Sequence, residues 1–103
     1  MDKQFPDKPF RLPEKLLQIR KSLDLSQNEL LVKLGFQDKL FRSNISQYEL
    51  GSREPSLLLI LNYARLANVY VDVLIDDEID LPEQIPSREK SVGILKVNNS
   101  SSV

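Results

Sequence analysis

Apolar residues recur every three or four positions over several segments of the chain, and this spacing predicts helices. The first predicted helix spans 13–23, and Asp24 closes it because aspartate tolerates the left-handed conformation better than most residues other than glycine. In the second helix, Ser26 and Glu29 form an S-x-x-E capping box, and Gly35 ends the helix. Each of these helices has one apolar stripe, as expected for a helix that packs on a core.

Three more helices are predicted further along the chain. The apolar edge of a short third helix is expected at Phe41, Ile45 and Tyr48, and the helix stops at Gly51. The segment 56–68 is the fourth helix, with a serine as its N-cap and an asparagine at its end. The segment 69–76, VYVDVLID, alternates in part like a strand, but we assign it to a short fifth helix.

The expected fold class is all-α, with five helices and a flexible C-terminal tail. Residues 1–11 contain two prolines and are expected to form an extended lead. The helical domain is expected over 12–79. From residue 80 onward, two prolines and a Ser/Asn-rich end predict a mostly disordered tail over 80–103.

The composition excludes several kinds of functional site. The chain has no Cys and no His, which removes Ser–His and Cys–His nucleophile pairs, so we expect no enzyme and no zinc site. The acidic run 76–80 lacks the glycine and the ligand spacing of a calcium loop, so no metal and no cofactor are expected. The longest apolar run, 57–61, is too short to cross a bilayer, and the first residues do not resemble a secretory signal. A cytoplasmic protein without a membrane partner is therefore expected.

Positive charge is concentrated in the first half of the chain. Residues 1–55 hold ten Lys and Arg against eight Asp and Glu, whereas residues 56–103 hold four against seven. A polyanion is therefore expected to prefer the first half.

The polar edge of the third helix is unusual for a merely solvated surface. Ser43 and Gln47 lie opposite the apolar edge, and Arg42 lies at the boundary between the two. A solvated face more often carries Glu and Lys, which favour helix formation more than Ser does. Hydroxyl, amide and guanidinium groups are the groups that bond to base edges in the major groove of DNA. The alternative is a face that is merely solvated. The two preceding helices favour a DNA-binding face, because they provide the arrangement in which a following helix enters the major groove.

The chain also resembles a known family. The stretches LSQNEL and ISQYELGSREPS, followed by the 64–69 end of the fourth helix, are similar to XRE-family helix-turn-helix proteins. The resemblance is to the phage-repressor-like, short bacterial type, and it covers about 12–76. It implies a repressor-like domain that binds double-stranded DNA with its third helix in the major groove, and a role in transcription regulation.

The resemblance implies roles for individual side chains. It implies base contacts by Arg42, Ser43 and Gln47. For the DNA backbone, it implies contacts by Gln27 and Arg53. Beyond the resemblance, we also expect backbone contacts by Lys39 and Asn44. The resemblance also implies a structural ion pair between Arg20 and Glu49.

This ion pair is expected from charge burial as well. Arg20 lies within the apolar stripe of the first helix, and Glu49 lies on the core side of the third helix. A charge in such a position needs a partner, so the pair is expected to tie the two helices together.

The link between the second and third helices departs from the family pattern. Gly35 and Ile45 are ten positions apart, about four more than the resemblance leads us to expect. The extra residues either extend the third helix toward Asp38 or form a loop over 36–40. In the first case Lys39 faces the groove, and in the second it contacts the DNA backbone.

The fourth helix has apolar residues on two sides. Its core stripe is expected at Leu57 and at the residues that follow it at helical spacing: Ile60, Leu61, Ala64 and Ala67. A second line consists of Leu59, Tyr63, Leu66 and Tyr70. This line is covered either by the fifth helix and the start of the tail, or by a second copy in a homodimer, and we favour the homodimer because such regulators bind paired half-sites.

Two functions follow from these observations. The first is a sequence-specific DNA-binding transcriptional regulator that acts as a homodimer. The second is a protein-interaction module, or antitoxin-like adaptor, whose tail binds a partner protein through the apolar segment 92–97.

Overall fold

The computed structural model describes residues 7–96, in which five helices surround one core and two short strands follow them. The helices are α1 (Leu12–Ser22), α2 (Gln27–Leu34), α3 (Arg42–Leu50), α4 (Leu57–Ala67) and α5 (Val71–Ile75), and the strands are β1 (Ile79–Asp80) and β2 (Ile94–Leu95). The strands are antiparallel, with Ile79 opposite Leu95 and Asp80 opposite Ile94. The five predicted helices, including the short fifth one, are confirmed, and the small sheet is an element that the sequence did not predict.

Local hydrogen bonds explain where α2 begins. The hydroxyl of Ser26 accepts from the Glu29 N–H at 3.0 Å, and the Glu29 carboxylate accepts from the Ser26 N–H at 2.8 Å. These bonds lower the pKa of Glu29, which keeps its carboxylate ionised at the start of α2. The capping box therefore has both of its bonds, as the S-x-x-E pattern predicts.

Left-handed residues follow the ends of α1, α3 and α4. Asp24 and Asn68 both have φ of +59°, and Gly51 has φ of +80°. At Gly51 a side chain is disfavoured for a second reason, because a Cβ atom there would lie 3.2 Å from the Pro13 ring of α1. This close approach brings the end of α3 against the start of α1.

The core takes apolar side chains from all five helices and from the segment that follows them. Leu16, Leu30, Ile45, Tyr63 and Leu74 are all fully buried. Burial of so many apolar side chains is the main favourable term for a domain of this size. It fixes α2 and α3 on α1 and leaves the outer face of α3 on the surface.

The inner face of α4 differs from the one that the sequence predicted. Leu57, expected in the core, is 84% exposed, whereas Leu59 and Tyr63 are 1% and 0% exposed. The buried residues lie on a single face about 140° wide, because successive residues are about 100° apart around a helix. That face is centred between the two expected apolar lines, and it consists of Leu59, Ile60, Tyr63, Ala64 and Ala67.

The expected surface line on α4 is therefore largely internal to one chain. Leu59 and Tyr63 pack in the core with Val73 and Leu74 of α5, and Leu66 is half-buried against that core. Tyr70 is 44% exposed, and its ring lies 4.3 Å from the Lys90 ammonium. These four residues do not form a common exposed surface, which corrects the interface expected from the sequence.

The segment from residue 80 differs from the expected disordered tail over its described part, 80–96. Leu81 is buried and Ile85 packs against the core. The segment then runs along the end of α4, where the Asn68 side chain donates to the Ser87 carbonyl at 2.7 Å and the Tyr70 N–H donates to the Ser91 carbonyl at 3.0 Å. Two isolated apolar residues, each directly before a proline, anchor the segment. Residues 97–103 of the predicted tail, like 1–6 of the predicted lead, lie outside the described range.

Candidate nucleic-acid interface

The third helix presents one face to the core and the other to the surface. Ile45 and Tyr48 are buried, while Arg42 and Ser43 are exposed and Gln47 is half-buried. Since residues four apart lie on the same face of a helix, Ser43 and Gln47 form one row on consecutive turns. Within residues 7–96, no other element covers the hydroxyl of Ser43 or the guanidinium of Arg42.

The first turn of α3 is closed by its own asparagine. The Asn44 carboxamide oxygen accepts from the Phe41 N–H at 2.9 Å, and this bond replaces a side-chain N-cap at Phe41. Phe41 precedes the helix and is 76% exposed, so it does not continue the apolar edge of Ile45 and Tyr48. Asn44 is therefore partly committed to the fold, and its amide nitrogen is the polar group left for an external contact.

The side chain of Gln47 lies between two other candidate residues. Its carboxamide oxygen is 3.5 Å from the Asn44 amide nitrogen and 3.4 Å from an Arg53 guanidinium nitrogen. Both contacts are long for hydrogen bonds, so they orient Gln47 without holding it firmly. The structure thus brings Asn44, Gln47 and Arg53 together beside the exposed Ser43.

A polar network holds α3 on the other two helices of the motif. Arg20 of α1 binds Glu49 of α3 through two bonds, from Nε to Oε2 at 2.6 Å and from Nη2 to Oε1 at 3.0 Å. The two side chains are only 16% and 6% exposed. Arg20 also donates to the Leu25 carbonyl at 3.0 Å, just before α2. Bidentate geometry of this kind fixes orientation as well as distance.

Gln27 connects α2 to the same network. Its amide nitrogen donates to Oε1 of Glu49 at 3.1 Å, so the side chain that was expected to touch a phosphate is half-buried and directed toward Glu49. The backbone at this position is different. The first N–H groups of a helix have no partner within the helix, and the capping box uses that of Glu29, which leaves those of Gln27 and Asn28 directed out of the helix end.

The link between α2 and α3 is a loop rather than an extension of the helix. The N–H groups of Lys39 and Leu40 both donate to the Phe36 carbonyl at 2.9 Å, which closes a turn, and α3 begins only at Arg42. Phe36 and Leu40 pack against the core and anchor the loop at both ends. The exposed Lys39 lies in the turn, with its ammonium 5.9 Å from the Phe36 ring.

A second polar cluster, which no sequence pattern indicated, lies at the other end of α1. Lys15 is 1% exposed, and its ammonium donates to the carbonyls of Val73, Asp76 and Ile79 at 2.8, 2.9 and 2.6 Å. Burial lowers the pKa of Lys15, and the three carbonyl oxygens satisfy its three donors. Backbone acceptors exist at every residue, so no sequence pattern marks this site.

The start of α1 is capped by a residue far along the chain. The two Asp77 carboxylate oxygens accept from the N–H groups of Phe10 and Arg11, each at 3.0 Å, although α1 has no side-chain cap of its own. The Arg11 guanidinium donates to the Asp77 carbonyl at 2.8 Å and pairs with Asp80. This cluster joins the N-terminal end of α1 to α5 and β1, on elements that do not include α2 or α3.

Two other kinds of site are not found in the part of the chain that the structure describes. Between residues 7 and 96, no group of three potential ligand side chains could hold a metal ion. No helix in that range has the length and apolar character needed to cross a membrane.

Comparison with known proteins matches the helical part of the chain. Residues 16–74, more than half of the sequence, match the family model described as "Helix-turn-helix". The chain is 35% identical over 65 residues to "Uncharacterized HTH-type transcriptional regulator YqaE" of Bacillus subtilis (strain 168), a match over 63% of this chain and 53% of that protein. The chain thus spans about half the length of the curated relative. No solved structure matches it.

Proposed function

The chain belongs to the XRE-family helix-turn-helix DNA-binding proteins, and from this premise we propose that it is a sequence-specific transcriptional regulator whose α3 enters the major groove. The observation that carries the proposal is the outward face of α3. Arg42 and Ser43 are exposed there and Gln47 is half-buried beside them, while the opposite side of the helix is held by Ile45, Tyr48 and the Glu49 ion pair.

We assign base contacts to the three polar groups on this face. A guanidinium can bond both acceptors of a guanine edge, an amide can bond adenine, and a hydroxyl can bond several groups. Arg42 and Ser43 lie in the first turn of α3, and Gln47 lies one turn later, so they would meet neighbouring base pairs. The long contacts of Gln47 with Asn44 and Arg53 leave its amide able to turn toward a base.

The groups around this face would contact the DNA backbone. Arg53 and Lys39 lie on exposed loops that flank α3, and they supply the positive charge. Asn44 would contribute its amide nitrogen. At α2, the helix-end N–H groups of Gln27 and Asn28 are better placed for a phosphate than the Gln27 side chain, which donates to Glu49.

The regulator is proposed to act as a homodimer on paired half-sites. The face and its flanking loops carry only three of the proposed cationic contacts, Arg42, Lys39 and Arg53. A single copy would therefore bind weakly, whereas two linked copies gain affinity through effective concentration. Leu59 and Tyr63 are internal, so of the line first considered on α4 only Leu66 and Tyr70 reach the surface. The adaptor function, with a tail that binds a partner protein, is not favoured by any specific observation, because the apolar β2 pairs with β1 of its own chain.

Selection of bound duplexes from a random DNA pool tests the base contacts. The wild type is expected to select a consensus, and Arg42→Ala and Gln47→Ala are each expected to relax it at different positions and to cost about 1–3 kcal/mol of discrimination there. Arg65→Ala and Gln84→Ala are matched controls, since both residues are exposed and lie outside α2 and α3. A consensus that survives Arg42→Ala and Gln47→Ala unchanged would contradict the assignment.

A further inference from the structure

A groove of about 790 Å³ lies on a part of the molecule that the proposed function does not use. Its walls are residues 7–12, the segment 54–60 at the start of α4, and the segment 72–78 of α5 and the turn after it. None of its lining residues belongs to α2 or α3. The groove therefore lies outside the two helices of the candidate nucleic-acid interface and adjoins that interface only where Glu54 follows Arg53.

The floor of the groove is apolar and two of its apolar side chains are exposed. Leu12 and Ile60 are buried at its base, whereas Leu57 is 84% exposed and Ile75 is 44% exposed. Exposed apolar side chains beside a concave apolar floor are typical of a surface that contacts another molecule.

The rim of the groove is strongly acidic. One lysine, Lys8, lines it, together with six carboxylates from both walls: Asp7, Glu54, Asp72, Asp76, Asp77 and Glu78. Asp76 and Asp77 accept hydrogen bonds from backbone N–H groups of the chain. The other four are exposed, and among residues 7–96 none of them forms an ion pair.

We propose that this groove is a docking site for a basic amphipathic segment of a partner protein. An apolar side chain of that segment lies between Leu57 and Ile75, and flanking Lys or Arg side chains pair with Asp72 on one wall and Glu54 on the other. Burial of the two apolar residues supplies affinity, and the carboxylates select a cationic partner and speed its association.

The charges of the groove disfavour two other occupants. A second copy docked face to face would bring the two sets of six carboxylates together with only two lysines between them, and like charges brought together oppose association. DNA is repelled by the same carboxylates. An open groove of this size fits a peptide segment better than a small compact ligand.

Fluorescence anisotropy with the full chain tests the proposal. The probe is a labelled twelve-residue peptide of leucine and lysine at helical spacing, and two control peptides replace every lysine by glutamate or every leucine by serine. Binding of the first peptide alone is expected. Leu57→Ser/Asp72→Asn is expected to weaken it about tenfold or more, the equivalent of about 1.4 kcal/mol. Glu54→Gln/Glu78→Gln, which changes charge only, is expected to weaken it and to flatten its salt dependence.

The matched control is Leu95→Ser/Glu83→Gln, which removes one exposed leucine and one exposed carboxylate outside the groove. It is expected to bind the peptide like the wild type, and all variants are expected to keep the wild-type melting temperature because the changed residues are exposed. If Leu57→Ser/Asp72→Asn bound the leucine–lysine peptide as tightly as the wild type does, the proposal would be overturned. The same holds if the wild type bound the glutamate peptide as tightly as the lysine peptide.

Two further results would assign the groove to another occupant and overturn the proposal. If a chain that starts at residue 7 binds the peptide and the full chain does not, residues 1–6 of the protein are the occupant. If Leu57→Ser shifts a monomer–dimer equilibrium in sedimentation, a second copy is the occupant.

Discussion

Two buried cations hold α1, and they differ in the kind of partner they bind. Arg20, near the end of α1, binds the carboxylate of Glu49 on α3. Within residues 7–96, Lys15, one turn after the start of α1, binds backbone carbonyls alone, those of Val73, Asp76 and Ile79. A side-chain partner can be inferred from the sequence because it is a charged residue at a core position. A backbone partner cannot be inferred, because every residue has a carbonyl.

The two clusters also serve different parts of the molecule. The Arg20 cluster, which includes Gln27 of α2, orients the helix that carries the proposed base contacts. The Lys15 cluster holds α5 and β1, and with them the segment that closes the core. Loss of the first cluster should therefore affect both stability and DNA binding, whereas loss of the second should affect stability first.

The largest effect is expected from Arg20→Ala. The substitution leaves the carboxylate of Glu49, which is 6% exposed, without its cation, and breaking a buried pair from one side costs about 3–5 kcal/mol. Arg20→Lys keeps the charge but loses the bidentate geometry, so its free energy of unfolding is expected to lie between those of the wild type and Arg20→Ala. Urea denaturation measures both, with the exposed Arg65→Ala as control. A melting temperature of Arg20→Ala within about 2 °C of the wild type would refute this role.

The second-largest effect is expected from Lys15→Met, which should lower the free energy of unfolding by about 3 kcal/mol. A buried acceptor left without its donor costs about 1–3 kcal/mol, and three carbonyls share the Lys15 ammonium as donor. Methionine keeps the length of the apolar stem, so the loss reports mainly the ammonium. Lys21→Met, at an exposed position of the same helix, is the control. Relative to the wild type, Lys15→Met should accelerate amide hydrogen exchange more in α5 than in α3. Equal acceleration in both helices would mean that the two clusters are not separate.

The helices and the motif could be predicted from the sequence because their signals are local. The capping box of Ser26 and Glu29, the glycine that ends α2 and the left-handed Asp24 each depend on neighbours within a few residues. The segment 69–76, which alternates in part like a strand, was correctly assigned to a helix. Apolar spacing on α4 led to a wrong prediction. The sequence predicts a core stripe and a separate exposed line on this helix, whereas the two border a single broad face that packs in the core.

Non-local contacts account for what the sequence did not predict. The described part of the tail is held by Leu81 and Ile85, two apolar residues in an otherwise polar segment, and by hydrogen bonds to the end of α4. The polar groups of the candidate interface were predicted at Arg42, Ser43 and Gln47, but the competing bonds of Gln27 and Asn44 were not. Whether a side chain is exposed can be estimated from helical spacing, whereas its hydrogen-bond partner depends on how distant elements meet.

Asp77→Asn is expected to have the smallest effect on the free energy of unfolding. The pH dependence of this effect distinguishes the cluster at the start of α1 from the Arg20 cluster at its end. Burial acts to raise the pKa of Asp77, but the N–H groups of Arg11 and Phe10, together with the charges of Lys15 and Arg11, lower it below the ordinary value of 3.8. A carboxyl group whose folded-state pKa is lowered stabilises the fold fully above its unfolded pKa, and this stabilisation is lost as the pH falls through the folded value. At pH 7 the substitution is expected to cost about 0.5–1 kcal/mol, the usual size of a helix N-cap contribution.

The difference in free energy of unfolding between the wild type and Asp77→Asn should stay constant from neutral pH down to about pH 5. It should then shrink as the pH falls below about 3.8, because the carboxyl group of the wild type becomes protonated. Urea denaturation over this pH series measures it, with Asp38→Asn, at an exposed position of the loop between α2 and α3, as control. Affinity for a selected DNA duplex at pH 7 should be unchanged. If Asp77→Asn instead weakened DNA binding while Arg20→Ala did not, the assignment of the two clusters to separate tasks would be reversed.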